Sequence, residues 1–154
     1  MPRKSALWLS HSLISFPHIG LCISEEQFRG AYKKLKISQR EYPDSWIPDG
    51  KDACVYTTEA LSADGGSGSR AEVVCMRVRK GVDPVEVVGL LIHESVHIWQ
   101  RHCEHMGETK PSREFEAYSI QSIAQSLIEE YEKLAEKSKK VGKEKKARKS
   151  HDCT

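Results

Sequence analysis

The chain has 154 residues, enough for one domain with its own core, and its 38% hydrophobic and 30% charged residues give a folded body with a polar surface. No apolar run approaches the roughly 18 residues that a membrane span needs, and five widely spaced cysteines without a CxxC argue against a disulfide scaffold or a cysteine zinc cluster. The formal net charge of +2 conceals an asymmetry: residues 137–149, "KSKKVGKEKKARK", hold eight of the 24 basic residues and one of the 22 acidic ones, so the rest of the chain is at net −5.

The opening "MPRKSALWLSHSLISFPHIG" begins basic and apolar, but His11, Pro17 and His18 interrupt it and no A-x-A site follows. That argues against a signal peptide. Residues 5–23 read as loop and extended structure. Ser24 then caps a helix over 24–37, with Glu25 and Glu26 in its positive first turn and Phe28, Ala31, Tyr32 and Leu35 along one face. Pro43, Pro48 and Gly50 make 38–52 a loop. The β-branched runs "ACVYTTEAL" and "AEVVCMRVRK", joined by "SADGGSGSR", predict a hairpin of strands 53–61 and 71–79. Cys54 and Cys75 fall on those two strands, close to one another, and are expected to be reduced, in the cytoplasm.

Asp83, Pro84 and Glu86 open the best-defined helix, and Gly107 ends it. Ser112 caps a second long helix, "SREFEAYSIQSIAQSLIEEYEKLAEK". The expectation is an α+β fold: a small antiparallel sheet packed beside the helix bearing HExxH, with a second long C-terminal helix. One domain would span 1–136, and 137–154 would be a basic, disordered tail.

Within "LLIHESVHIWQ", His93 and His97 stand four apart, with Glu94 after the first. Positions i and i+4 share a helix face, so both imidazoles can reach one Zn²⁺, and the glutamate can take a proton from water on the metal. Gly89, one turn earlier, would admit another element close to this face. A catalytic zinc needs a third protein ligand. The extended HExxHxxGxxH form fails, because positions 100 and 103 are Gln100 and Cys103; His102 and His105 are off register for it. On the second helix Glu114 and Glu116 face opposite ways. Steps of 4, 7, 11 and 15 from Glu116 reach Ile120, Ile123, Leu127 and Tyr131, whereas the same steps from Glu114 reach Tyr118, Gln121, Gln125 and Glu129. Glu116 is therefore inward and is the preferred third ligand, with Glu114 the alternative; a salt bridge at the helix start is the plainer role for Glu116.

The pattern His93-Glu94-x-x-His97, followed by a helix bearing Glu-Ala-Tyr, resembles the gluzincin group of zinc metallopeptidases in minimal form. The resemblance covers residues 71 to about 131, and the compact size is similar to that of metallopeptidase-like proteins of phage and prophage genomes. It implies one Zn²⁺ per chain on His93, His97 and Glu116, Glu94 as general base, and hydrolysis of a protein or peptide substrate. The larger members have a second substrate-binding lobe, for which this chain has no room. An oxyanion donor is needed; Tyr118 is a candidate, and Tyr56 and His102 are others. Strand 71–79 would hold an extended peptide by β-addition, and the loop 64–69 is a candidate lid. The competing reading is a metal-binding but non-hydrolytic regulator whose segment 137–149 touches nucleic acid or an acidic partner. Val96, Ile98 and Trp99 read as core.

Overall fold

A computed structural model describes residues 7–9, 18–59 and 70–151, with side chains over 18–59 and 70–141. Its strands are β1 (Leu7–Leu9), β2 (His18–Cys22), β3 (Ala53–Glu59) and β4 (Arg70–Met76); its helices are α1 (Glu25–Lys34), α2 (Pro84–Met106) and α3 (Arg113–His151). A short 3-10 turn, Gln39–Glu41, interrupts the loop after α1.

The class is α+β, as expected, but the sheet is mixed rather than antiparallel. Its order is β1-β2-β4-β3, with the predicted hairpin β3–β4 antiparallel and β2 lying parallel to β4. The parallel strand comes from a stretch expected to be loop and extended chain. Between β2 and β4 the chain passes through α1 and β3, and such a crossover returns it in its starting direction. Both edges of β4 are paired, which corrects the expectation that 71–79 could receive an added peptide strand. The open edge next to α2 belongs to β3.

Side-chain alternation divides the core between the two faces of the sheet. Ile19, Leu21, Ala53, Val55, Val74 and Met76 face one way and bury against Val87, Leu91, Ile98, Trp99 and Cys103 of α2 and Ile123, Leu127 and Leu134 of α3. Cys22, Ala71, Val73 and Cys75 face the other way, against Phe28, Ala31 and Tyr32 of α1, Leu35 at its C-cap, and Ile37 and Ile47 of the following loop. Buried on both faces, β4 carries the apolar run of a central strand over Val73–Met76, with one buried carboxylate, Glu72, before it.

The helix ends follow their sequence signals. Ser24 Oγ accepts from Gln27 N while Gln27 Oε1 accepts from Ile23 N, a reciprocal cap at the start of α1. Asp83 Oδ1 accepts from Val85 N at the start of α2, Pro84 occupies the first turn, and Gly107 closes the helix at φ 71°. Ser112 Oγ accepts from Phe115 N at the start of α3. The α3 backbone runs on through the basic segment to His151, where Lys, Glu, Arg and Ala favour helix and Gly142 is the weakest former. Among the described residues no helix is long and apolar enough to cross a membrane.

Candidate metal centre

The buried stripe of α2 holds Val87, Leu91, Glu94, Ser95, Ile98, Trp99, His102 and Cys103. His93 and His97 fall outside it and are exposed. One turn apart, their Nε2 atoms converge to 3.0 Å, with the rings 4.6 Å apart and nearly perpendicular at 85°. Two imidazoles on a tetrahedral zinc, each at about 2.0–2.1 Å, bring their nitrogens to roughly 3.3 Å of one another. The pair therefore stands within a few tenths of an ångström of that spacing. Gln100 Oε1 lies 3.3 Å from His97 Nδ1. An amide oxygen can only accept, so this contact favours the His97 tautomer with its proton on Nδ1; its Nε2 then accepts from His93 Nε2–H at 3.0 Å, a hydrogen bond that a metal would replace. The sequence reading missed Gln100; its position one turn past His97 is the signal that could have found it.

Glu94 is buried at 4% exposure. Burial lifts its carboxyl above the ordinary carboxylate range, against the positive charges of His93, His97, Arg101 and Lys51. Gly89 does not act as expected: a Cβ there would meet nothing within 4 Å, so among the described residues no element packs closely at that position.

The periodicity argument on α3 is met in one respect. Glu116 is half-buried against α2 and Glu114 is exposed. Glu116 Oε1 accepts from the indole Nε1 of Trp99 at 3.2 Å, and the Phe115 ring meets Trp99 edge-on at 5.5 Å. Trp99 is thus core, and it is also the partner of the expected third ligand. Glu116 does not join the two histidines as a ligand group: among the described residues no three His, Cys, Asp or Glu are placed to hold one ion. The donor types suit zinc, two imidazoles converge as zinc needs, and the carboxylate stands apart in its hydrogen bond to Trp99.

The expected oxyanion donors are scattered. Tyr118 is 60% exposed on α3. Tyr56 packs on Phe28 on the α1 side of the sheet, and its hydroxyl donates to Ser45 O at 2.8 Å. The sheet separates it from α2. His102 is buried 6.2 Å from Trp99, and burial lowers its basicity. The candidate lid 64–69 lies outside the described residues.

Beyond His97, the next turn of α2 presents Arg101, whose guanidinium donates to Val55 O of β3 at 2.9 Å. A groove of about 550 Å³ opens there, lined by Thr57, Thr58, Glu59, Arg70, Arg101, Glu104 and His105. Beneath three of its lining residues Glu72, 1% exposed, is held by Thr57 Oγ1 at 2.7 Å and Arg70 at 2.9 Å, with Arg101 at 3.8 Å. A carboxylate inside a β run needs such partners, and Arg70 two residues before it was the legible clue.

No family model matches the chain, and no curated protein and no solved structure matches it either.

Proposed function

We propose that the chain is a zinc-dependent peptidase with its centre on α2. The observation that carries this reading is the 3.0 Å convergence of the His93 and His97 Nε2 atoms, with the Glu94 carboxyl buried at the next position. The residues that would hold the ion are His93, His97 and Glu116. Glu116 is chosen for its place on the inner face of α3; its carboxylate, bonded to Trp99 and apart from the histidines, would have to turn toward them to ligate. Zinc bound there would supply polarisation of a scissile carbonyl and a more acidic water.

The remaining work falls to the chain's own groups. Glu94, with its carboxyl raised by burial, is suited to take a proton at its carboxylate oxygen and release it to a leaving amine. Among the described residues no strand pairs with the outer edge of β3; an extended peptide beside α2 would bond to that edge once Arg101 releases Val55 O, and the groove past His97 gives its side chains room. A cytoplasmic setting belongs to the same proposal.

The test is metal content of the purified chain, beside His97→Ala, Glu116→Ala and Glu114→Ala. One zinc per chain, lost in the His97 and Glu116 variants and kept in the Glu114 variant, is the expected result. A wild-type chain that takes up no zinc when supplied with it would end the reading.

A further inference from the structure

Three cysteines stand in one row across three adjacent strands. Cys22 of β2 is the register partner of Cys75 of β4, and Cys75 is the register partner of Cys54 of β3. Residues in register share a face, and all three point toward α1, away from the candidate metal centre. All three are free thiols; Cys22 and Cys75 are buried, while Cys54 on the edge strand is partly exposed. The fourth described cysteine, Cys103, is on α2 on the other side of the sheet.

We propose that Cys54 and Cys75 are a peroxide-reactive thiol pair that closes to a cross-strand disulfide. Directly opposed residues of an antiparallel pair have Cα atoms about 4.5–5.5 Å apart, inside the roughly 4.4–6.8 Å window of disulfides. The Cβ atoms of such a pair stand about 4.5–5.5 Å apart against the roughly 3.5–4.5 Å of a disulfide, so the hairpin accepts the bond once the two strands draw together by up to about 1 Å. Access sets the order of events. Cys54 is the thiol that a hydroperoxide can reach, and its Sγ lies 3.7 Å from Trp46 O, so its proton has a carbonyl acceptor. The Cys75 thiol donates to Cys54 and holds it below the ordinary thiol value against the opposing effect of burial, whereas burial pushes Cys75 itself up.

In the first step the Cys54 sulfur attacks one peroxide oxygen. The O–O bond breaks, and Cys54 becomes a sulfenic acid as the departing hydroxide takes up the thiol proton to leave as water. In the second, the Cys75 sulfur attacks the Cys54 sulfur, the S–O bond breaks, and hydroxide leaves as water with the Cys75 proton. Two thiols and one hydrogen peroxide yield one disulfide and two waters. A dithiol reductant reverses it by exchange.

Trypsin separates the two thiols, since 52–70 and 71–77 are distinct peptides. The full chain would be treated with hydrogen peroxide, quenched with catalase, alkylated in denaturant and digested without reduction. The expected product joins these two peptides, is lost on dithiothreitol treatment, and leaves Cys22 and Cys103 alkylated. In Cys75→Ser, Cys54 should accumulate as a sulfenic acid trapped by a cyclic dione; in Cys54→Ser, Cys75 should stay alkylatable. Wild-type Cys54 advancing to the sulfinic acid while Cys75 remains free would overturn the proposal. So would a bond from Cys75 to Cys22, or from Cys54 to any other cysteine. The wild-type measurement decides the matter even where a variant fails to fold.

Discussion

Replacing Trp99 by phenylalanine separates the two roles of that side chain. Trp99 is 1% exposed, and its Nε1 donates to Glu116 Oε1 at 3.2 Å. Hydrogen bonds to charged groups contribute about 1.5–3 kcal/mol, and half-exposure of Glu116 puts this one at the low end, about 1.5 kcal/mol. The smaller ring leaves a void of roughly 40 Å³, which at about 24 cal/mol per Å³ costs about 1 kcal/mol more. The sum, about 2.5 kcal/mol, lowers the melting temperature by about 5–10 °C in a domain of this size. The assay is a double-mutant cycle with Glu116→Leu, each variant measured by urea denaturation. A coupling of about 1–1.5 kcal/mol is expected, because each single change breaks the same bond. If the two lesions add to within about 0.5 kcal/mol, the bond contributes nothing and the account of why Glu116 is held on the inner face of α3 is wrong.

Glu94→Gln is expected to keep zinc binding, to lose hydrolysis of any substrate found by at least about 100-fold, and to leave the fold as stable as the wild type or more so, since it removes a carboxyl whose ionised form burial disfavours; loss of the zinc would place Glu94 among the ligands. Arg70→Ala strips Glu72 of its 2.9 Å partner and should cost about 3 kcal/mol near pH 7 by chemical denaturation. Burial already lifts the Glu72 carboxyl, and this variant lifts it further. A raised carboxyl favours the fold below the unfolded value, near pH 4, and loses that benefit as pH rises through the folded value, so the penalty should shrink from pH 7 toward pH 4; equal penalties at both would refute the charge argument. Gln100→Leu should weaken zinc binding about 10-fold in a competition titration while Gln100→Glu retains it, because only an acceptor keeps the His97 proton on Nδ1.

Several features were legible because they rest on local chemistry. Asp83, Pro84 and Gly107 bound α2, Ser24 and Ser112 cap their helices, and the i, i+4 spacing brings the His93 and His97 rings together without help from any other element. The β3–β4 hairpin was readable from its β-branched runs, and the inward turn of Glu116 from the apolar positions that follow it.

The parallel strand β2 was not legible. "HIGLC" has no alternation because both of its faces are covered, and Pro17 and Gly20 read as loop. Its insertion beside β4 moved the open edge to β3 and changed which strand a peptide could join. Nor could a linear pattern say what meets Glu116. Its spacing from His97 fits a ligand, but the packing of α3 on α2 delivers it to Trp99, and only that packing could show it. The row of Cys22, Cys75 and Cys54 has the same origin. Spacing along the chain is governed by backbone geometry and is written in the sequence, whereas the register between strands and the crossing of two helices come from burying many apolar side chains at once. That collective minimum decided which of the well-spaced residues meet.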